Sequence, residues 1–130
     1  MENKKNCAQV VLSTFSKAYG VSKETAEALA APFGSGRYRG ETCGCVNAAT
    51  MVLGLAYKDD PVLLEEKVKA FDDAFRTSNG SVYCRTILGH DFSKPGEMDA
   101  AFTDGSIETY CPRCIASSIA IVESLLKNSH

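Results

Sequence analysis

Six cysteines are the residues of this chain whose types and spacing could do chemistry. They stand in the 130-residue sequence as Cys7, the pair Cys43-Gly44-Cys45, Cys84 and the pair Cys111-Pro112-Arg113-Cys114. In a secreted protein they would indicate a disulfide framework, whereas in a cytosolic protein metal binding or redox chemistry is more common. The N-terminal sequence lacks the features of a secretory signal. We therefore predict a cytoplasmic protein with redox-active or metal-binding thiols.

Four of these cysteines fall within the first turn or two of a predicted helix: Cys7, Cys43, Cys84 and Cys111. Unsatisfied N–H groups and the helix dipole stabilise an anion there, which lowers the pKa of a thiol. The thiolate is the form that attacks disulfides and binds metals. We predict that these four cysteines form the functional site, as catalytic thiols or as metal ligands.

Two short motifs contain the remaining cysteines, Cys45 and Cys114, which we predict to be auxiliary. Cys111 and Cys114 have the C-x-x-C spacing of thiol–disulfide exchangers, with Arg113 adding positive potential. We expect no thioredoxin fold, because only sixteen residues follow Cys114. In the C-x-C motif, two residues on one helix are rotated by about 200°. The sulfurs of Cys43 and Cys45 can therefore face the same cofactor only if the motif spans the junction between a loop and a helix.

The glycine-rich segment 34–40 has the composition of a loop. Its Gly36 and Gly40, together with Gly44, could hold an anion or a cofactor phosphate on backbone N–H groups. The segment matches neither the Walker nor the Rossmann pattern, and tight-turn geometry is the simpler explanation.

Two further side chains are candidates for an auxiliary role. Arg37 could hold a neighbouring thiolate by charge, or be solvated. His90 follows Cys84 by six residues and could act as a ligand or proton carrier, although a surface histidine is the simpler interpretation.

Helical periodicity dominates the elements that must position these residues. Segment 43–57 has no charged residue and almost no polar face, which predicts a helix surrounded by others. The last helix is predicted to begin at Cys111 or Pro112. Only residues 106–110 alternate like a strand, and five residues cannot make a sheet alone. We predict a single all-α domain over 1–130, an irregular or orthogonal bundle of about five main helices around 43–57.

Charge and hydropathy exclude two classes of partner. The net charge is −2 and basic residues are spread along the chain, so we expect no nucleic-acid partner. The longest weakly polar run is too short to cross a bilayer, so we expect no membrane insertion. A redox partner protein is expected, and a homodimer is compatible with the sequence without being required by it.

Five short stretches, spread over nearly the whole chain, share residues with a known family. They are Cys7-Ala8-Gln9, the glycine-rich segment before Cys43-Gly44, Met51-Val52-Leu53-Gly54-Leu55, Asn79-Gly80-Ser81 before Cys84, and Cys111. On these stretches the chain resembles a family of redox-active proteins known by the cysteine pattern C_GCAxxG_C_C. The resemblance places the four family cysteines at the same four positions that the helix-start argument selects. It implies a redox protein without implying a substrate.

The chain departs from the family pattern at three positions. Cys45 stands where the pattern has alanine, Ala48 stands where it has glycine, and Cys114 is an additional cysteine. Two extra thiols could alter cofactor binding or redox behaviour.

Three functions remain open. In the first, which we expect, the four thiols carry redox or electron-transfer chemistry, either as dithiol and disulfide without a cofactor or as ligands of an iron–sulfur cluster. In the second, the cysteines hold zinc or another soft ion without turnover. In the third, the chain is a non-enzymatic interaction domain with buried structural cysteines. Whether the chain is itself an enzyme is left open.

Overall fold

The computed structural model describes residues 5–127, and in that range the chain forms seven α-helices. They are α1 (Cys7–Ser16), α2 (Lys23–Ala30), α3 (Gly44–Tyr57), α4 (Pro61–Asn79), α5 (Cys84–Leu88), α6 (Glu97–Thr103) and α7 (Ser106–Lys127). Over the same residues there is no strand, only an isolated antiparallel bridge between Thr42 and Tyr83. The prediction of an all-α fold is confirmed.

The ends of the helices follow local sequence signals. The side chains of Ser22 and Asp60 cap α2 and α4 by accepting hydrogen bonds from the N–H groups of Thr25 and Leu63. Gly80 ends α4 in the left-handed conformation, with φ +86°. Serine and aspartate at the N-cap and glycine at the end of a helix are the residue types commonly found at these positions.

The start of α7 differs from the prediction. The helix begins at Ser106, five residues before Cys111, and the stretch that alternates like a strand is its first turn. Asp104 accepts hydrogen bonds from the backbone N–H and the hydroxyl of Ser106, which stabilises a helix start there. Pro112 consequently lies inside the helix, where it has no N–H to donate. Cys111 is thus beyond the first turn, to which the dipole effect is largely confined.

Most of the apolar core surrounds α3, which packs against α1, α4 and α7. Eight of the fourteen residues of α3 are buried and the other six are half-buried. From α4, Phe71 and Phe75 are fully buried, with ring centroids 5.7 Å apart. Among the helices described, none combines the length and apolar character needed to span a membrane.

A second, smaller apolar cluster forms around α5, α6 and the start of α7. It contains Cys84, Leu88, Phe92 and Ala101, with Cys111 packed against it. The other four cysteines belong to, or pack against, the main core. The cysteines of the chain therefore lie on both sides of the seam between the two apolar clusters.

Candidate thiol site

Cys7 is held by the N-terminal cap of α1, of which it is the first residue. The side chain of Asn6 accepts from the Gln9 N–H, and the Gln9 side chain accepts from the Asn6 N–H, which forms a capping box. The same two side chains donate to the carbonyls of Ala31 and Glu27, at 2.9 and 3.0 Å. The side chains of Asn6 and Gln9 therefore cap α1 and also attach its first turn to α2 and to the residue that follows α2.

Cys43 and Cys45 lie on either side of the start of α3. Cys43 is the N-cap, with extended backbone, and Cys45 is the second residue of the helix. The C-x-C motif thus straddles a loop–helix junction, as two sulfurs facing one site require. The Sγ atoms of Cys7, Cys43 and Cys45 all lie within 4.8 Å of one another. We call these three residues the trithiol cluster.

Cys84 is brought towards Cys43 by backbone hydrogen bonds rather than by helix packing. The N–H of Cys43 donates to the Val82 carbonyl, and the N–H of Cys84 donates to the Glu41 carbonyl, each at 2.7 Å. Gly36 fits closely against Cys84, because a Cβ built on Gly36 would lie 2.9 Å from the Cβ of Cys84. The short antiparallel contact therefore joins two helix starts that are far apart in the sequence.

One small cavity collects all four cysteines that the sequence predicts as the site. Its volume is about 20 Å³, which holds about one water-sized atom. The sulfur-bearing residues that line it are Cys7, Cys43, Cys84, Cys111 and Cys114. We call it the thiol cavity. Cys111 and Cys114 line the same cavity as Cys7, although more than a hundred residues separate them from Cys7 in the sequence.

Two of the six cysteines are also accessible from outside. Cys7 and Cys111 are half-buried, whereas the other four are buried. Both line an outer cleft of about 340 Å³, whose walls include Phe102, Ile107 and Ile115. Cys7 is therefore part of the trithiol cluster, the thiol cavity and the outer cleft at once.

Three thiols of the site, those of Cys7, Cys45 and Cys84, have raised pKa values. The hydrogen bond with Cys43, followed by burial and the nearby Cys43 charge, raises the pKa of Cys7 to about 12. Hydrogen bonds with Cys43 and Cys7, together with burial, raise the pKa of Cys45. Burial, and then the charges of neighbouring cysteines, raise the pKa of Cys84. The expectation that helix starts lower these pKa values is wrong, because burial and like-charged neighbours both disfavour a thiolate.

Arg37 and His90 lie outside the thiol cavity and the outer cleft as the structure describes their walls. The exposed Arg37 side chain places Nη1 3.8 Å from Glu41 Oε1. The imidazole of His90 lies between two carboxylates, with Nε2 2.6 Å from Asp104 Oδ2 and Nδ1 3.4 Å from Glu97 Oε1. The structure thus gives both side chains carboxylate partners instead of thiol partners.

The glycine-rich segment forms a left-handed turn before α3. A positive φ is adopted by Ser35, Gly36, Arg37, Tyr38 and Gly40. Gly40 lies close to the Cβ of Arg85 and the backbone N of Phe92, so a side chain there would meet both. Instead of an open loop, Gly36–Gly40 form one π-helical turn with non-helical φ and ψ at Arg37 and Tyr38. Gly36, Gly40 and Gly44 each allow a close approach of backbone to a neighbour. Their predicted role in holding an anion or cofactor stays a prediction.

The C-x-x-C motif lies within α7, with its two sulfurs in different surroundings. Cys114 is buried and its Sγ lies 3.8 Å from Asn79 Oδ1, to which it donates. The guanidinium of Arg113 is 5.8 Å from the centre of the Tyr110 ring. Arg113 also lines a separate, open groove of about 780 Å³.

Sequence reasoning missed the residues that hold Cys7 in place and underestimated Cys45. The Asn-x-x-Gln spacing of Asn6 and Gln9 is a capping signal that predicts a helix start at Cys7. Cys45, treated as auxiliary, is a full member of the trithiol cluster. No local signal could show this, because Cys7 approaches from another helix.

Comparisons with known proteins give one match. A family model described as "Putative redox-active protein (C_GCAxxG_C_C)" matches residues 5–125. This range contains all six cysteines and every residue that lines the thiol cavity. Neither the curated proteins nor the solved structures include a significant match.

Proposed function

Since the chain belongs to this C_GCAxxG_C_C family, we propose that it reduces disulfides by thiol–disulfide exchange at Cys7 and Cys43. The observation that supports this proposal is the double position of Cys7. Its sulfur lies within 4.8 Å of Cys43 Sγ, and the residue also lines the outer cleft. An accessible thiol beside a buried one suits a reaction in which one sulfur attacks and the other resolves the intermediate.

The reaction takes two steps. The Cys7 thiolate attacks one sulfur of a substrate disulfide, forming a mixed disulfide and releasing the other substrate sulfur, which takes up a proton. Cys43 then attacks the Cys7 sulfur, forming the Cys7–Cys43 disulfide and releasing the second substrate sulfur, which is also protonated. The substrate gains two electrons and two protons, and the two cysteines supply them.

The direction of electron flow is expected to be from the protein to the substrate. Strongly oxidising dithiol pairs owe that property to a stabilised reduced form. Here the pKa of Cys7 is raised to about 12, so at neutral pH the reduced protein gains little from a thiolate at Cys7. The same protonation keeps exchange slow until the pH rises or a partner changes the surroundings of Cys7.

The walls of the outer cleft suggest how the substrate is presented. They are largely apolar, with charges only from Lys5 and Glu108 among the residues that line the cleft. Phe102 beside it is 58% exposed. A disulfide carried on an apolar loop of a redox partner protein would cover this surface while reaching Cys7.

An iron–sulfur cluster fits the arrangement less well than dithiol exchange. The thiol cavity of about 20 Å³ holds about one water-sized atom, whereas a multi-iron cluster needs space for several iron and sulfur atoms. Purely structural cysteines fit less well too, because they require neither an accessible Cys7 nor sulfurs gathered around one cavity. We therefore assign the proposed reaction to the protein's own thiols.

The proposal is tested by trapping the mixed disulfide. The reduced protein is mixed with a small aromatic disulfide, and the products are mapped by mass spectrometry after acid quenching. We expect a Cys7–Cys43 disulfide in the wild type, a stable mixed disulfide on Cys7 in Cys43→Ser, and no reaction at this site in Cys7→Ser. Cys114→Ser is the matched control, because its sulfur lies outside the trithiol cluster and donates to Asn79, and it should retain the cycle. Undiminished substrate reduction by Cys7→Ser would overturn the proposal.

A further inference from the structure

The trithiol cluster contains one sulfur more than the exchange reaction uses. Cys45 is fully buried and does not line the thiol cavity. Its Sγ nevertheless lies within 4.8 Å of both Cys7 Sγ and Cys43 Sγ. We propose that Cys7, Cys43 and Cys45 form a three-coordinate binding site for a soft monovalent metal ion, Cu(I).

The donor set determines the choice of metal. Thiolates select soft ions such as Cu(I) and Zn(II) and the irons of iron–sulfur clusters. Structural zinc sites are almost always four-coordinate, but the group of clustered ligand atoms found among the described residues contains three sulfurs and neither imidazole nor carboxylate. An ion that accepts three sulfurs in a trigonal arrangement fits this set best, and Cu(I) does so.

The spacing of the sulfurs is close to what such a site needs. With metal–sulfur bonds of about 2.3 Å, sulfurs at the corners of a triangle around the ion lie about 4 Å apart. The three Sγ atoms already lie within 4.8 Å of one another. Small rotations of the side chains are enough to close the triangle.

Two helix starts offset part of the negative charge of such a site. Three thiolates around Cu(I) carry two net negative charges, which an apolar interior would otherwise disfavour. Cys7 is the first residue of α1, and Cys43 and Cys45 are the N-cap and second residue of α3, so the positive ends of two helix dipoles meet at the cluster.

The metal site goes beyond the exchange reaction and can be tested apart from it. Exchange requires Cys7 and Cys43, whereas metal binding also requires Cys45. A protein with Cys45 replaced should therefore fail to hold Cu(I), whatever its rate of disulfide exchange. Loss of exchange in the wild type, conversely, would leave the metal-binding result unaffected.

The experiment is an anaerobic titration of the reduced protein with Cu(I) against a chromophoric Cu(I) chelator. We expect one tightly held Cu(I) per wild-type chain, and X-ray absorption at the copper edge should show three sulfur neighbours. Outer-shell substitutions weaken metal sites by roughly 10- to 100-fold, so removal of a ligand in Cys45→Ser should cost more than about 100-fold. Cys114→Ser, which also removes a buried thiol of the same region, is the control and should bind like the wild type.

The Cu(I) affinity of the Cys45 variant is interpreted only if the variant folds. If Cys45→Ser does not fold by circular dichroism, Cys45→Ala, which buries no hydroxyl, replaces it. Wild-type affinity in the folded Cys45 variant would overturn the site. A fourth sulfur neighbour at the copper edge, or displacement of Cu(I) by Zn(II), would overturn the three-coordinate Cu(I) assignment.

Discussion

Gly44 lies directly against the Cys7 thiol, so that a Cβ built on Gly44 would stand 2.9 Å from Cys7 Sγ. The same Cβ would be 2.6 Å from the carbonyl oxygen of Phe33. Real side chains almost never approach so closely, and the Phe33 oxygen belongs to backbone that cannot easily move. The absence of a side chain at Gly44 is therefore what allows the starts of α1 and α3 to bring their cysteines together.

Gly44→Ala should accordingly destabilise the protein and displace Cys7. Overpacking of a dense interior costs about 1–3 kcal/mol, and we expect a loss of that size in the free energy of unfolding measured with urea. Gly54→Ala in the same helix is the matched control, because a Cβ there meets nothing within 4 Å. It should stabilise by about 0.5–1 kcal/mol, since alanine is the better helix residue. Equal effects of the two substitutions would contradict this account of Gly44.

The cap of α1 should influence the chemistry of Cys7 as well as stability. Asn6→Ala removes the hydrogen bond to the Gln9 N–H and the one to the Ala31 carbonyl. We expect a loss of about 1 kcal/mol in unfolding free energy and a changed rate of Cys7 alkylation, measured by mass spectrometry. Ser22→Ala removes the cap of α2 at similar cost. It should leave the Cys7 rate unchanged, and a parallel change in both variants would show that the cap has no specific effect on the thiol.

Alkylation of Cys7 should rise with pH over an unusually wide range. The thiolate is the reacting form, and with a pKa of about 12 its fraction increases about tenfold per pH unit far above the ordinary thiol value of about 8.5. Cys43→Ala removes the hydrogen bond that is the largest cause of the shift and should move the profile to lower pH. A wild-type rate that levels off near the ordinary value would refute the raised pKa. Cys111, the other half-buried cysteine, provides a second profile in the same experiment.

The loop between α5 and α6 should lose stability as the pH rises. Its His90 has a raised pKa, first because of the hydrogen bond with Asp104 and further because of Glu97. A histidine whose pKa is raised by folding contributes stability that is complete below the unfolded value of about 6.5. That contribution is lost as the pH rises through the folded value. The urea midpoint of the wild type should fall over this window.

His90→Gln tests the origin of that pH dependence, because glutamine keeps a polar side chain but does not titrate. The variant should be less stable than the wild type on the acid side of the window and similar to it on the alkaline side. Asp104→Asn removes the main partner of the histidine and should flatten the pH dependence in the same way. A wild-type slope retained in both variants would assign it to other groups.

Much of the fold could be predicted because it depends on short-range signals. Ser22 and Asp60 cap helices wherever the chain around them is placed, and Gly80 ends α4 for the same local reason. The charge-free stretch 44–57 forms a single helix, α3, in which eight residues are buried. The start of α7 was misplaced because Pro112 is a strong sign of a helix start, and the hydrogen bonds of Asp104 to Ser106 begin the helix earlier.

By itself, the sequence determined that this is an all-α protein and which cysteines open α1, α3 and α5. Tertiary structure alone decided that Cys45 joins Cys7 and Cys43, and that His90 pairs with carboxylates instead. It also reversed the expected pKa shift of Cys7, because a helix dipole acts locally whereas burial and neighbouring sulfurs depend on packing. Periodicity identifies the face of a helix that must be buried, but the helix that covers it is chosen by contacts between residues far apart in the chain.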